Sequence, residues 1–139
     1  MNNMKNWLAV FFVFILMGSC RKDEANIPDD LYNSWEVENF ISIESMSYAK
    51  DNNYSPVITF KKDNTFNVKL DVNNCGGSFS VSGNNGIKIS ALFCTEICCD
   101  SDFSTKFVSK LSEVESYSIE GESLILNVRG WGMINLKRN

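Results

Sequence analysis

The feature that most constrains this chain is a two-residue alternation of apolar and polar side chains along most of its length. The clearest example is FNVKLDV, in which Phe66, Val68, Leu70 and Val72 share one face and polar residues lie between them. Successive side chains of a β-strand point to opposite faces, so this period is typical of half-buried antiparallel strands. The chain is therefore expected to be mainly β.

Turn signals divide the alternating stretches into a series of strands. The Asp-Asn pair in KKDNT suits a turn between VITF and FNVKLDV, and GNNG separates SFSVS from GIKISAL. In GIKISAL we expect Ile87, Ile89 and Ala91 to face inward. Near the C-terminus, EGE and RGWG separate the last strands. The predicted strands are residues 34–40, 57–60, 66–72, 78–82, 86–92, 115–119, 123–128 and 133–137.

One segment has a helical period instead. In CDSDFSTKFVSKLSEV, Phe103, Phe107 and Leu111 recur every four residues and Val108 widens the stripe, which predicts an amphipathic helix of about twelve residues. The preceding DSD (residues 100–102) is expected to cap it, since the alternative, a Ca²⁺ site, lacks further spaced oxygen ligands. Strands, one inserted helix and then more strands suggest a sheet that curls into a small antiparallel β-barrel.

The N-terminal stretch FFVFILMGSCRKDE predicts a cleaved and lipidated start. Eleven apolar residues run from Trp7 to Met17, too few for a membrane-spanning helix, and they follow a short start that carries Lys5. MGSC resembles a bacterial lipobox, so we expect residues 1–19 to be a signal peptide and Cys20 to carry the lipid anchor. An ordinary signal peptide is the alternative. Residues 20–30 are interpreted as a tether and residues 31–139 as one domain. The lipid would hold this domain at the outer membrane, on either the periplasmic or the surface face of that membrane.

Charge and composition narrow the function classes. The full chain has a net charge of −4, and loss of Lys5 with the signal peptide makes the remainder one unit more negative. An acidic domain without a basic block is a poor candidate for nucleic acid. The chain has no histidine, which excludes Ser-His-Asp and Cys-His catalysis and His-ligated zinc. We expect a non-enzymatic protein without a cofactor.

Lipidation of Cys20 leaves four cysteines in an exported chain, and these are expected to form disulfides. A four-thiolate metal site is disfavoured because CTEICC after a lone cysteine lacks the two separated pairs of such sites, and no metal is expected. A bond between neighbouring residues is the least favoured pairing. The two alternatives that remain are Cys75–Cys99 with Cys94–Cys98, and Cys75–Cys98 with Cys94–Cys99.

LYNSWEV, NNCGGSFSV and TEICC with the helix that follows it are three local motifs that resemble segments of the META domain, the family of the HslJ-like heat-shock proteins. LYNSWEV is similar to its opening strand, NNCGGSFSV to its Asn-x-x-x-Gly-x-aromatic segment, and TEICC with the helix to its Thr-x-Met-x-Cys turn. Two departures are the cysteine at position 75 and Ser104 in place of a frequent glutamate. The matched residues are Trp35, Asn73, Gly77, Phe79, Thr95, Ile97, Cys99, Phe107 and Leu111.

The resemblance implies a small barrel of lipocalin-like topology with one helix and a non-enzymatic envelope role. Independently, the long connection from Ile41 to Ser55 is a candidate for the barrel mouth, where binding loops often lie. Trp131 in GWG is either an aromatic anchor for a partner or a turn residue that covers the barrel end. The candidate binding surface comprises Met46, Tyr48, Tyr54 and Trp131.

Two functions from different classes remain. The first is a membrane-tethered binding or stress-protective module that recognises an envelope protein or a small apolar ligand. The second is a protease-inhibitor-like or accessory subunit of a surface enzyme or polysaccharide system, with the disulfide-braced region as its contact surface. A barrel interior filled with side chains would favour surface binding. Carboxylate-driven hydrolysis by Glu44, Glu96, Glu113 and Glu115 is disfavoured because the sequence brings no two of them together.

Overall fold

The computed structural model describes residues 27–44, 48, 50 and 54–139. A 3-10 turn at Asp29–Leu31 leads into eight strands, with one helix, α1, between the fifth and sixth. Their bounds are β1 Ser34–Ser42, β2 Val57–Phe60, β3 Thr65–Lys69, β4 Asn74–Ser82, β5 Gly86–Cys94, α1 Asp102–Leu111, β6 Val114–Glu120, β7 Ser123–Val128 and β8 Gly132–Arg138.

The strands form a closed antiparallel barrel in sequence order, so the predicted fold class is confirmed. β1 and β8 close the barrel through a long ladder that runs from Trp35 opposite Arg138 to Ser42 opposite Gly132. The seam between β5 and β6 is much shorter, because Gly86 and Ser116 form its one ladder pair and the helix is inserted there. Every neighbouring pair of strands is antiparallel, as the period-two pattern predicts.

The helix follows its predicted stripe. Phe103, Phe107 and Leu111 are buried against the core, and Ser101 caps the helix by accepting a hydrogen bond from the backbone N–H of Ser104. The helix has ten residues, slightly fewer than expected. It lies across one open end of the barrel, where Phe103 stacks on Phe40 with ring centroids 4.5 Å apart.

The two ends of the barrel differ in their connections. The helix end carries α1 and the longest connections, namely residues 70–73, 95–113, 129–131 and the described residues of the connection from β1 to β2. The hairpin end carries residues 27–33 and the short turns at 61–64, 83–85 and 121–122. At the hairpin end, Leu31 is fully buried and the indole N–H of Trp35 donates to its carbonyl oxygen over 3.2 Å.

Side chains fill the barrel interior. The inward faces of β3, β5 and β7 contribute large apolar residues, each at most 4% exposed, and aromatic rings from β2, β3 and β4 pack against one another. Five residues that would leave no room for an internal ligand if they filled the interior are all part of this core. They are Phe66, Val68, Leu70, Ile87 and Leu126.

Two inward-facing predictions are wrong. β3 ends at Lys69, and Val72 lies in the following turn with 41% of its surface exposed, because the backbone N–H of Leu70 donates to Asn73 and closes that turn. Ala91 is exposed, with φ of 51°, so β5 does not keep its alternation at that point. The ladder between β4 and β5 shifts by one residue between Gly76 and Ser78, which is a β-bulge.

The favoured cysteine pairings are also wrong. The structure joins Cys75 to Cys94, with Cα atoms 4.0 Å apart, and places Cys98 against its neighbour Cys99. The bulge supplies the reason. Counting along the ladder from the turn without a shift would set Cys75 opposite Phe93, whereas the one-residue shift sets it opposite Cys94. Residues that lie directly opposite each other on two antiparallel strands are close enough to be joined across the ladder.

Candidate functional site

Asn73 is the centre of a hydrogen-bond network at the helix end. Its side-chain N–H groups donate to the carbonyl oxygen of Ile97 and to Asp100 Oδ2, each over 2.6 Å. Its side-chain oxygen accepts from the Thr95 hydroxyl over 2.7 Å and from the backbone N–H of Ile97 over 2.8 Å. Asn73 is only 6% exposed, so the amide is both buried and fully paired.

Two aspartates extend this network to the turn before β4. Asp100 accepts hydrogen bonds from the backbone N–H groups of Val72 and Asn73, at 2.8 and 3.0 Å. Partial burial acts to raise the pKa of Asp100, but the hydrogen bonds from Asn73 and Val72 outweigh it, so the pKa lies below its usual value. Asp71 accepts from the backbone N–H of Ser101 over 2.6 Å. The cysteine-containing loop (residues 95–101) is therefore fastened to residues 71–73.

This network gives a physical role to several residues of the family motifs. Asn73, Thr95 and Ile97 meet in space although the sequence separates them, and Gly77 is required because a side chain there would overlap the core. A Cβ on Gly77 would lie 2.7 Å from the carbonyl oxygen of Ser90 and 2.8 Å from the ring of Phe66. Sequence reasoning assigned Asp100 to the helix cap and missed this contact, for which the sequence holds no local signal.

A second cluster at the helix end joins Glu44, Tyr48, Lys106 and Trp131. The Tyr48 hydroxyl donates to Glu44 Oε2 over 2.7 Å, and the Lys106 ammonium donates to the same oxygen over 3.1 Å. Lys106 lies 4.4 Å from the centre of the Tyr48 ring and 5.4 Å from that of Trp131. These are cation–π distances, so the ammonium is held by a carboxylate and two aromatic faces.

The contacts within this cluster shift the pKa values of Glu44 and Lys106 away from neutral pH. The pKa of Glu44 is lowered to about 2. The largest cause is the hydrogen bond from Tyr48, followed by the nearby indole N–H of Trp131 and by the Lys106 ammonium. The Trp131 N–H lies outside hydrogen-bond geometry, so we assign it a weaker electrostatic effect than Tyr48. The pKa of Lys106 is raised, because the ammonium lies beside the Tyr48 hydroxyl and the Glu44 carboxylate. Neither group can exchange a proton readily at neutral pH, as a general acid or base must.

The third feature is a groove of about 680 Å³ on the outer wall of β2–β5. The strand register sets two rows of outward-facing residues across it. One row consists of Thr59, Asn67, Gly76 and Phe93, and the other of Val57, Lys69 and Asn74, with Thr95 beside Asn74. Phe93 is 70% exposed. Tyr54, Ser55 and Asn139 complete the lining, and the buried Val68 and Cys75 form part of the floor.

The structure separates the predicted binding residues into two places. Tyr48 and Trp131 belong to the charged cluster, with ring centroids 6.5 Å apart, whereas Tyr54 lines the groove. Trp131 is 4% exposed and covers the barrel end, which is the alternative to an aromatic anchor. Met46 and Cys20 lie outside the described residues. Phe93 was missed, because its place in the alternating pattern gave no reason to single it out.

Three of the four carboxylates considered for hydrolysis have basic partners instead of one another. Glu44 pairs with Lys106, Glu113 with Lys110 over 3.0 Å, and Glu115 with Arg129 over 2.8 Å. In the part of the chain that the structure describes, no three acidic or cysteine side chains converge as a metal site would require. Nor does that part contain a helix long and apolar enough to cross a membrane.

Solved structures of other proteins are similar to this fold. A DUF4847 family protein from Bacteroides vulgatus matches with a TM-score of 0.60 at 17% identity, over 78% of this chain and 94% of that one. A protein from Burkholderia xenovorans solved by NMR matches with a TM-score of 0.65 at 13% identity, over 86% of this chain and 96% of that one. At such identities the likeness concerns the fold alone.

Sequence comparison identifies the family. No curated protein matches the chain. The profile of the META domain, however, matches residues 29–138, which include every strand and the helix. Residues of the motifs that resemble this family, among them Asn73, Thr95 and Ile97, are brought together by the structure. This chain belongs to the META domain family.

Proposed function

We propose that this META domain protein is a lipid-anchored envelope protein that binds its partner on the outer wall of its barrel. The observation that carries the proposal is the contrast between the two faces of the wall. The inner face is filled with apolar side chains, which leaves no room for a lipocalin-type ligand, whereas the outer face holds a groove with the exposed ring of Phe93.

The anchor sets the orientation of that groove. Lipidation of Cys20 would attach the chain to the membrane only seven residues before Ile27, a distance of at most about 25 Å when fully extended. Ile27 enters the domain at the hairpin end, where it packs against the core. The helix end would then point away from the bilayer. Tyr54, Asn74 and Phe93 lie at the strand ends nearest the helix end, so the groove would be accessible to a partner.

The chemistry of the helix end supports binding over catalysis. Glu44 and Lys106 are held in their charged forms by each other and by Tyr48, so they act as a clamp on the first loop. The Asn73 network uses its polar groups on the protein itself. The groove is where polar groups and an aromatic ring remain open to solvent.

Lipidation can be tested with a clickable palmitate analogue in cells that make the wild-type chain or Cys20→Ser. We expect label on the wild type and none on the variant, with the wild type in the membrane fraction and the variant released. Equal labelling of both chains would remove the anchor from the proposal.

The binding surface can be tested by photo-crosslinking in the same cells. A benzophenone amino acid at position 93 is expected to give a discrete adduct on irradiation, whereas the same group at Ser80 is not. Ser80 is the matched control because it is also exposed on the outer wall, on β4, but does not line the groove. Equal adducts at both positions, or none at position 93, would contradict a partner site in the groove.

A further inference from the structure

The groove on the outer wall has the chemistry of a carbohydrate site, and we infer that it binds a neutral oligosaccharide. This inference rests on the proposed function and names the class of its partner. It is carried by three observations: the hydrogen-bonding side chains that line the groove, the exposed ring of Phe93 beside them, and the rigid floor beneath both.

The lining is rich in neutral groups that both donate and accept hydrogen bonds. Amides come from Asn67 and Asn74 and a hydroxyl from Tyr54, whereas the hydroxyls of Thr59 and Thr95, also in the lining, already bond to Ser34 and Asn73. A sugar hydroxyl also donates and accepts, so these groups match it better than they match an ion or an apolar chain. Burial and the nearby charges of Asp71 and Asp100 raise the pKa of Tyr54, which keeps its phenol protonated as a donor.

Phe93 supplies the apolar surface that a sugar ring needs. One face of a pyranose exposes C–H groups, and aromatic rings in carbohydrate sites stack against that face. Phe93 is directly opposite Gly76 in the ladder, and the tip of its ring lies 3.2 Å from where a Cβ on Gly76 would be. The absence of a side chain at position 76 therefore lets the ring extend over β4, beside Asn67 and Asn74.

The floor of the groove is fixed before any ligand arrives. The Cys75–Cys94 bond joins β4 to β5 one residue away from Gly76 and Phe93. Four neighbouring strands at a spacing of about 4.8 Å carry the lining residues, so the groove extends about 14 Å from β2 to β5. A rigid site of that width can take several sugar rings with little loss of conformational freedom.

Charge and polarity disfavour the other occupants. Among the described residues of the lining, Lys69 carries the one charged side chain, so the site does not favour a strongly anionic glycan. The net acidic charge of the protein acts in the same direction. A protein interface would have a larger apolar centre than one phenylalanine among amides and hydroxyls, and a lipid would need an enclosed apolar cavity.

Saturation-transfer difference NMR on the full lipoprotein in nanodiscs tests the inference. The probes are maltohexaose, cellohexaose and chitohexaose, with a hexasaccharide of galacturonic acid as the anionic comparison. We expect at least one neutral probe to receive saturation on its ring C–H protons and the anionic probe to receive little. No transfer to any neutral probe, or stronger transfer to the anionic one, would overturn the inference.

Variants of exposed residues keep the test independent of folding. Phe93→Ala is expected to weaken binding of the responding probe about tenfold, because one aromatic contact is removed. Phe93→Trp is expected to retain binding, and Ser80→Ala to leave it unchanged. If Phe93→Ala bound as well as the wild type, the groove would not be the glycan site.

The crosslinking experiment separates this inference from the function on which it rests. An adduct at position 93 that glycosidases remove supports both. An adduct that only proteases remove keeps the outer wall as the binding surface but replaces the glycan with a protein partner. Absence of an adduct contradicts both.

Discussion

Apolar side chains close the hairpin end of the barrel, whereas polar networks close the helix end. At the hairpin end, Leu31 and Trp35 are fully buried, and the surrounding turns are short. At the helix end, Asn73 and Asp100 fasten one long loop, and Glu44, Tyr48 and Lys106 fasten another. The loop of residues 95–101 cannot be held by burial alone, because five of its seven residues are exposed.

The comparison shows where this fold can vary. A short turn is fixed by its own residues, so the hairpin end has little freedom to carry a new function. The loops of the helix end depend on a few hydrogen bonds, such as those that join residues 71–73 to residues 24 to 30 positions away in the chain. The rest of each loop is free to change as long as those contacts persist, which suits a surface that must recognise a partner.

The largest expected effect tests the buried apolar side chains that close the hairpin end. Leu31→Ala should lower the free energy of unfolding by about 3 to 4 kcal/mol, because it leaves a cavity where a fully buried side chain now lies. Ile43→Ala at the helix end is the control: Ile43 is 80% exposed and should change stability by less than about 0.5 kcal/mol. Urea unfolding measures both, and a similar loss for the two variants would break the comparison.

The next effect concerns the cysteines of the helix end. Replacing Cys75 and Cys94 together with alanine should cost about 3 kcal/mol, since their bond closes a loop between residues 19 positions apart. Replacing Cys98 and Cys99 together should cost less than about 0.5 kcal/mol, because neighbouring residues close no long loop and both are exposed.

Urea unfolding of both double variants also decides the pairing. If Cys75 were joined to Cys98 or Cys99, both double variants would lose the same long-range bonds and their unfolding curves would coincide. Peptide mapping without reduction gives an independent answer, because it should recover the Cys75 and Cys94 peptides linked to each other.

The cysteine pairing also shows which features of the structure can be predicted from the sequence and which cannot. Most of the strand alternation, the helix stripe around Phe107 and a cap within residues 100–102 are local patterns, and the structure confirms them, with Ser101 as the cap. The pairing depends on a bulge that shifts the β4–β5 ladder by one residue, and Gly76 and Gly77 are compatible with a bulge but do not fix which cysteines it brings together. The rows of the groove depend on register across four strands, so Phe93 could not be identified beforehand.

Asn73 tests the polar closure of the helix end. Asn73→Ala should lower the free energy of unfolding by about 2 kcal/mol, because several partners in residues 95–100 lose a buried hydrogen bond. Asn74→Ala is the matched control at the adjacent position, where the side chain is exposed and the contact to Thr95 uses the backbone N–H.

Amide hydrogen exchange shows whether the effect of Asn73→Ala is local. The N–H of Ile97, which donates to Asn73, should exchange much faster in Asn73→Ala than in the wild type, and that of Val37 in β1 should be less affected. Equal stability of the Asn73 and Asn74 variants would show that burial, and not this network, holds the helix end.

The smallest effect is the pH dependence of the charged cluster. Glu44 is depressed from its ordinary pKa of 4.5 to about 2, so its ionised form contributes stability that is complete above pH 4.5 and is lost as the pH falls towards 2. Glu44→Gln should therefore differ from the wild type above pH 4.5 and converge with it near pH 2. The contribution is small because the carboxylate is exposed and its ion pair is screened by solvent.

NMR titration of the Glu44 carboxyl should give a midpoint near 2 in the wild type and a higher one in Tyr48→Phe, which removes the strongest hydrogen bond. A wild-type midpoint near 4.5 would show that the first loop is not clamped to the helix, and that the polar closure of this end rests on Asn73 alone.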